Sequence, residues 1–429
     1  MSLAPTAPLS TALSTESAAL AEPSLRGWTL SGGRRRQLRL IGPAFVAAVA
    51  FIDPGNVATN VSAGSRYGYL LLWAVLSASA VATLVQYLSA KLAAATGASL
   101  AAVCRDNTPT AVRLGLWLLA ESVVIMTDLA EFVGGAIALQ LLFGVSALSG
   151  GLIIGAATMV VMAMRLRGRD AFPAVVVGLL FTITVAFAYL VVRSRFDVGG
   201  AASGLLPRFD GGDSALLACG IVGATVMPHA IFMHSSLMSG LGHGVPALHT
   251  TSMLRFLRRD VIIAMGLAGL VNSLILLIAT GLPSGSGDSL TSVHAAFGQT
   301  YGSAFALIFA LALLASGLAS ACAGLYSGQA IMRDFLHRNS SIWLRRLVSA
   351  VPALLILWLV NDTTRALVLS QVSLSFGLPF ALAPLLIFTA RRRLMGSFVN
   401  RAVTTCACGI ATVVVIALNV FVLTRTLGG

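Results

Sequence analysis

The chain has 429 residues, of which 57% are hydrophobic and only 10% charged, and its mean hydropathy is +0.91. Soluble domains carry about 25% charged residues, so a soluble globular protein is excluded and a polytopic, all-α membrane protein is expected. The formal charge of +13 does not point to nucleic acid, because the basic residues sit in short links between apolar runs instead of clustering with aromatics on one domain.

Residues 1–38 are rich in Ala, Ser, Thr and Pro and run into Arg34-Arg35-Arg36. No uninterrupted apolar core follows a charged start, so this is no cleavable signal peptide; it reads as a disordered cytoplasmic tail. Eleven apolar runs follow, at about 39–63, 69–95, 111–141, 146–165, 171–193, 214–238, 260–281, 302–331, 343–360, 366–390 and 402–424, each read as a membrane-crossing helix. Arginines crowd the tail and every second link, among them Arg105, Arg167, Arg258, Arg333 and Arg391. That bias places the N-terminus inside and, after eleven spans, the C-terminus outside.

The first run holds Asp53-Pro54-Gly55-Asn56 at its centre. Proline removes a backbone donor and clashes with the preceding turn, so the helix breaks there. Irregular backbone at membrane depth is tolerated only where it is packed in protein or lines a polar cavity. A charge at that depth costs roughly 2.5–3.5 kcal/mol on the mildest scale, which marks Asp53 as part of a binding site. The third run carries Glu121, Asp128 and Glu131 at i, i+7 and i+10, within about 80° of one another on one helix face. They read either as a proton relay or as salt-bridge partners for Arg345 and Arg346 at the start of run nine. Gly151 and Gly155 in run four form a small-xxx-small pattern that indicates helix packing.

The sixth run repeats the anomaly of the first, with Thr225-Val226-Met227-Pro228-His229 at its midpoint. Runs one and six are five spans apart and cross in opposite senses. The pattern predicts a 5+5 inverted repeat with a midplane site between the two breaks: 39–193 and 214–390 are the halves, 402–424 an extra helix. His229 and His234 follow the second break, as hydrogen-bonded core groups or as parts of the transport machinery. Gln371 in run ten is a packing hydrogen bond or a late ligand. The five cysteines show no paired ligand spacing; Cys406 and Cys408 point about 200° apart on a helix, and all five are expected to be small buried residues.

Together the breaks offer the Asp53 carboxylate, the Asn56 amide oxygen, the Met227 thioether and freed carbonyls near Ala50 and Ala224. Oxygens alone suit Mg²⁺ or Ca²⁺, whereas a thioether favours transition metals. Methionine is also a common core filler. An organic anion fits poorly, since Asp53 repels it.

Asp-Pro-Gly-Asn in span one, Met-Pro-His in span six and Thr127-Asp128-Leu129-Ala130-Glu131-Phe132 in span three resemble the Nramp family of proton-coupled divalent metal transporters. The likeness covers nearly the whole chain after residue 38, including Gln86-Tyr87-Leu88-Ser89-Ala90-Lys91-Leu92 and Ser370-Gln371-Val372. The resemblance implies a LeuT-type 5+5 fold with broken helices 1 and 6 and import of Mn²⁺, with Fe²⁺ and similar ions accepted. It implies metal ligation by Asp53, Asn56, Met227 and the carbonyls of Ala50 and Ala224, with Gln371 joining on occlusion. It assigns proton handling to Asp53, His229, Asp128, Glu131, Arg345 and Arg346. The magnesium- and aluminium-handling branches lack Met-Pro-His, so its presence favours a transition metal.

The expected partners are therefore the metal ion, protons and the lipid bilayer of a cell inner membrane, with no nucleic acid, resident cofactor or obligate protein partner. A sodium-coupled organic-solute symporter of the same fold and a cation channel are the rival functions. No nucleophile–base pair or closed ligand cluster points to an enzyme.

Overall fold

A computed structural model describes residues 43–166, 171–194, 196–239, 250–283, 285–338, 341–359 and 363–427. The expected tail at 1–38 and Arg167 lie outside the described residues. Among the described residues all regular structure is helical. The first crossing is α1 (Pro43–Ala50) and α2 (Pro54–Tyr67), bent by 52°. There follow α3 (Leu72–Thr96), α4 (Leu100–Asn107), α5 (Thr110–Phe143), α6 (Ala147–Leu166), α7 (Ala171–Ser194) and α8 (Val198–Ser203). The sixth crossing is α9 (Gly211–Thr225) with α10 (Pro228–Met238). The remainder comprises α11 (Thr250–Ala279), α12 (Leu290–Tyr301), α13 (Ser303–Leu336), α14 (Ile342–Leu359), α15 (Thr363–Ala390), α16 (Arg392–Met395) and α17 (Ala402–Leu427).

By length and apolarity, eight stretches of the described residues can cross a membrane, or nine with the bent pair. The expected eleven is not reached by this measure. The apolar part of α6 is only Ala147–Val161, and both α6 and α14 border residues outside the described set. α11 begins at Thr250, about ten residues before run seven, so the helix continues through Arg255, Arg258 and Arg259. The short helices α4, α8 and α12 fall in links the apolar runs left blank. Ser99 starts α4 by accepting from the Ala102 N–H at 3.2 Å; Ser289 does the same for α12 from Ser292 at 3.0 Å. Gly97 and Gly144 stop α3 and α5 in the left-handed region, at φ 70° and 68°, where a side chain is strained.

α5 packs most extensively on α13, α9 on α15, and α11 on α2 and α3. The sixth crossing is 89% buried within the protein and α5 83%, against 28% for α17. The two chemically unusual spans thus form the centre, while α7 and α17 lie at the outside with Phe181, Val192, Ile410 and Val413 exposed. Gly151 and Gly155 are packing residues as expected. A methyl on Gly151 would sit 2.9 Å from Leu357, and one on Gly155 3.1 Å from Phe132. One cysteine corrects the expectation. Cys104, Cys219, Cys322 and Cys408 are buried, but Cys406 is exposed. Two residues apart on the outermost helix, Cys406 and Cys408 cannot both face inward.

Candidate metal site and the acidic face of the third span

Both helix breaks follow from one rule. In a continuous α-helix the N–H of residue i bonds the carbonyl of i−4, and a proline has no N–H to give. Pro54 therefore releases the Ala50 carbonyl, and Pro228 that of Ala224. Asp53 leaves the helix as an extended N-cap (φ −89°, ψ 168°), with Pro54 in the first helical turn. Its Oδ1 accepts the Asn56 backbone N–H at 2.8 Å and the Asn56 side-chain Nδ2 at 2.7 Å. At the second break Met227 is the extended link (φ −51°, ψ 119°) before Pro228.

Asn56 joins the two breaks. Its Nδ2 also donates to the Ala224 carbonyl at 2.8 Å, and its Oδ1 accepts from Thr225 Oγ1 at 3.2 Å. Asp53, Asn56, Met227 and Ala224 are all fully buried. Gln371 belongs to the same place: a methyl on Gly55 would lie 2.0 Å from Gln371 Nε2 and 2.9 Å from Asp53 Oδ2. Asp53 Oδ2 and Gln371 Oε1 are buried without a hydrogen-bond partner among the described residues. Two unpartnered oxygens beside two proline-released carbonyls form a donor set suited to a cation. Among the described residues no cluster of three or more His, Cys, Asp or Glu exists, so the site has one carboxylate and otherwise neutral donors.

Two residues at this site escaped the sequence reading. Asn272 of α11 donates to the Phe51 carbonyl at 2.8 Å while accepting from Asn60 at 3.1 Å. Ser316 of α13 donates to the Ile52 carbonyl at 2.6 Å. They satisfy the break next to the released carbonyl. Asn272 had a readable signal, a lone amide in an apolar run, the same signal that singled out Gln371.

On α5, the three acidic residues divide. Glu121 receives both terminal nitrogens of Arg345, at 3.0 and 2.6 Å, and is a salt bridge. Asp128 and Glu131 are buried, and Asp128 Oδ1 and both Glu131 carboxyl oxygens lack a hydrogen-bond partner among the described residues. Arg346 does not bond them. It donates to Thr158 at 2.5 Å, and its guanidinium carbon lies 4.1 Å over the Phe132 ring. His229 Nδ1 lies 3.1 Å from Thr127 Oγ1. That hydroxyl already donates to Val123, so the ring nitrogen is the donor. His234 Nδ1 likewise donates to Gln86 Oε1 at 2.8 Å, because an amide oxygen only accepts. Both Nε2 atoms are buried and unpartnered among the described residues.

The family model described as natural resistance-associated macrophage protein-like (Nramp) matches residues 44–425. The divalent metal cation transporter MntH of Bacillus subtilis is 42% identical over 398 residues, 92% of this chain and 94% of that protein. Its counterpart in Mycobacterium leprae is 45% identical over 409 residues, covering 94% and 96%. Among solved structures, the Eremococcus coleocola manganese transporter aligns at a TM-score of 0.82 and 29% identity, over 92% of this chain and 89% of that one. MHP1, a nucleobase-cation-symport-1 family transporter, aligns at 0.58 and 17% over 89% of each chain. That likeness is of fold alone, the LeuT type with broken helices in the first and sixth crossings. With its motifs in place and the family match running almost end to end, the chain belongs to the Nramp family.

Proposed function

We propose that this chain imports divalent transition-metal ions, Mn²⁺ and Fe²⁺ foremost, together with protons, by alternating access. It is a multi-pass membrane transporter and no enzyme. The observation that carries the reading is the junction at Asn56, whose amide ties the Asp53 carboxylate in one broken helix to the Ala224 carbonyl in the other. An ion held there touches both halves, so occupancy and rocking of the halves are linked. The ligands are Asp53, Asn56, Met227, the carbonyls of Ala50 and Ala224, and Gln371 on closure. The single carboxylate suits a carrier that must release its cargo, and the thioether favours a transition ion over Ca²⁺ or Mg²⁺.

Protons released at Asp53 leave by Asp128 and Glu131, with His229 and His234 tuning the route and the Glu121–Arg345 pair and Arg346 closing its far end. The halves are 39–193 and 214–390, with 402–424 outside the repeat. The membrane is the cell's inner (plasma) membrane, with the N-terminus cytoplasmic and the C-terminus outside, as the arginine bias supports. Mn²⁺ uptake into proteoliposomes, with and without an inward proton gradient, tests the reading. Saturable uptake accelerated by the gradient is expected. Non-saturating flux would indicate a channel, and strict Na⁺ dependence the organic-solute class.

A further inference from the structure

Three of the four carboxyl oxygens of Asp128 and Glu131 have no hydrogen-bond partner among the described residues. What meets them is bare backbone. A methyl on Gly324 of α13 would lie 2.8 Å from Asp128 Oδ1, 2.8 Å from Glu131 Oε2 and 3.1 Å from Glu131 Oε1. One turn on, a methyl on Gly328 would lie 2.1 Å from both Nε and Nη2 of Arg345. Two turns back, one on Gly317 would lie 3.2 Å from the Gly135 backbone and 3.5 Å from Pro54 Cγ. Gly317, Gly324 and Gly328 fall at i, i+7 and i+11, within about 40° on one helix face. The stripe runs from the proline of the first break, past both carboxylates, to the guanidinium that holds Glu121.

We propose that this glycine stripe is a trough that sets the carboxylate pair in register, and that Gly324 is a positioning residue for the proton step. The proposal rests on the relay reading of Asp128 and Glu131. Each side chain lies with its charged end against α13, and contact with the helix surface fixes where that end stops. A methyl at Gly324 pushes both carboxylates at once, and their flexible ends yield before the backbone does. The charged and titratable groups whose field reaches Glu131 are Asp128, Arg346 and Asp53, with Cys322 on α13 itself. Displacement alters its distance to all four.

The test is Gly324→Ala in proteoliposomes, with Mn²⁺ uptake and internal pH recorded together. Helix propensity favours alanine over glycine, so a purely structural role predicts no loss. We expect Mn²⁺ affinity within about twofold of wild type, protons moved per Mn²⁺ reduced by about fivefold and a flattened pH profile, a size typical of coupling between touching groups. Gly266→Ala, on a face with nothing within 4 Å, should change neither quantity. In a Glu131→Asp background the shorter carboxylate clears the methyl and only Asp128 Oδ1 still meets it, so adding Gly324→Ala should then cost less than it does in the wild-type background. An unaltered proton-to-metal ratio and pH profile in Gly324→Ala overturns the proposal, as does the same loss in both backgrounds. Wild-type vesicles that move Mn²⁺ without protons would instead sink the relay, and this proposal with it. Should Gly324→Ala fail to purify as a folded protein, Glu131→Asp alone, whose carboxylate is one methylene shorter, is read the same way: a reduced ratio supports the trough, an unchanged one refutes it.

Discussion

Asn56→Ala is the perturbation that bears most directly on the site. The change removes two donated hydrogen bonds, to Asp53 Oδ1 at 2.7 Å and to the Ala224 carbonyl at 2.8 Å. The first involves a carboxylate and contributes about 1.5–3 kcal/mol; the second is neutral and contributes about 0.5–1.5. Their sum is about 2–4.5 kcal/mol, which on this reading goes into orienting ligands across the two breaks. At about 1.4 kcal/mol per factor of ten, Mn²⁺ affinity should fall by about 30- to 1,600-fold, before the loss of the amide oxygen as a proposed ligand is counted. The fold should persist, because the N-cap bond from the Asn56 backbone N–H to Asp53 at 2.8 Å is untouched and alanine favours a helix over asparagine. Calorimetric titration of detergent-purified protein with Mn²⁺, beside a melting curve, measures both quantities. A mutant with Kd within about threefold of wild type and near-normal uptake would show that the junction at Asn56 is not the metal site.

Three further changes separate the roles of neighbouring groups. Met227→Ala should relax selectivity more than it slows Mn²⁺ transport, read as increased inhibition of Mn²⁺ uptake by excess Ca²⁺; unchanged competition returns Met227 to core packing. Asp128→Asn keeps the size of the side chain but carries no proton, so Mn²⁺ binding should stay near wild type while uptake loses its pH dependence and its accompanying acidification. Poor binding with intact proton flux would place Asp128 at the metal instead. Glu121→Gln leaves Arg345 buried opposite a neutral amide, which should lower stability by about 3 kcal/mol without changing protons moved per metal ion; a changed ratio would restore Glu121 to the relay.

Much of this arrangement was legible because the membrane makes polar residues expensive. Asp53, Asp128, Glu131, His229 and Gln371 each stand out against an apolar run, and prolines 54 and 228 announce where the backbone opens. Other features were not legible, for physical reasons. Glu121 and Asp128 share a helix face, so spacing alone cannot separate them; only the approach of Arg345 from α14 makes one a salt bridge and leaves the other unpaired. The roles of Ser316 and Thr225 depend on which carbonyl or amide a distant helix presents. Serine and threonine inside membrane helices usually bond their own helix, as Thr59 does to Gly55 at 3.0 Å. The helices α4, α8 and α12 are too short for an apolarity window, and their caps are local signals that the search for spans passes over.

The break in the first span also shows how a site can be selected by what is withheld from it. Three successive residues before the helix restarts have carbonyls that a broken helix orphans, and an orphaned carbonyl in a dry interior costs about 1–3 kcal/mol. Asn272 caps that of Phe51, Ser316 that of Ile52 and the Val57 N–H that of Asp53. The Ala50 carbonyl receives no such donor among the described residues, and Pro54 has none to give it. At the second break the Ala224 carbonyl accepts from the side chain of Asn56. The two carbonyls left for an ion are thus the two opposite prolines, one in each broken helix. Capping the neighbouring carbonyls of the first break holds its backbone in place, and the two proline-released carbonyls are those proposed for the ion. Proline placement opens the backbone, and the donors on α11 and α13 decide which carbonyls of the first break stay open to the proposed ion.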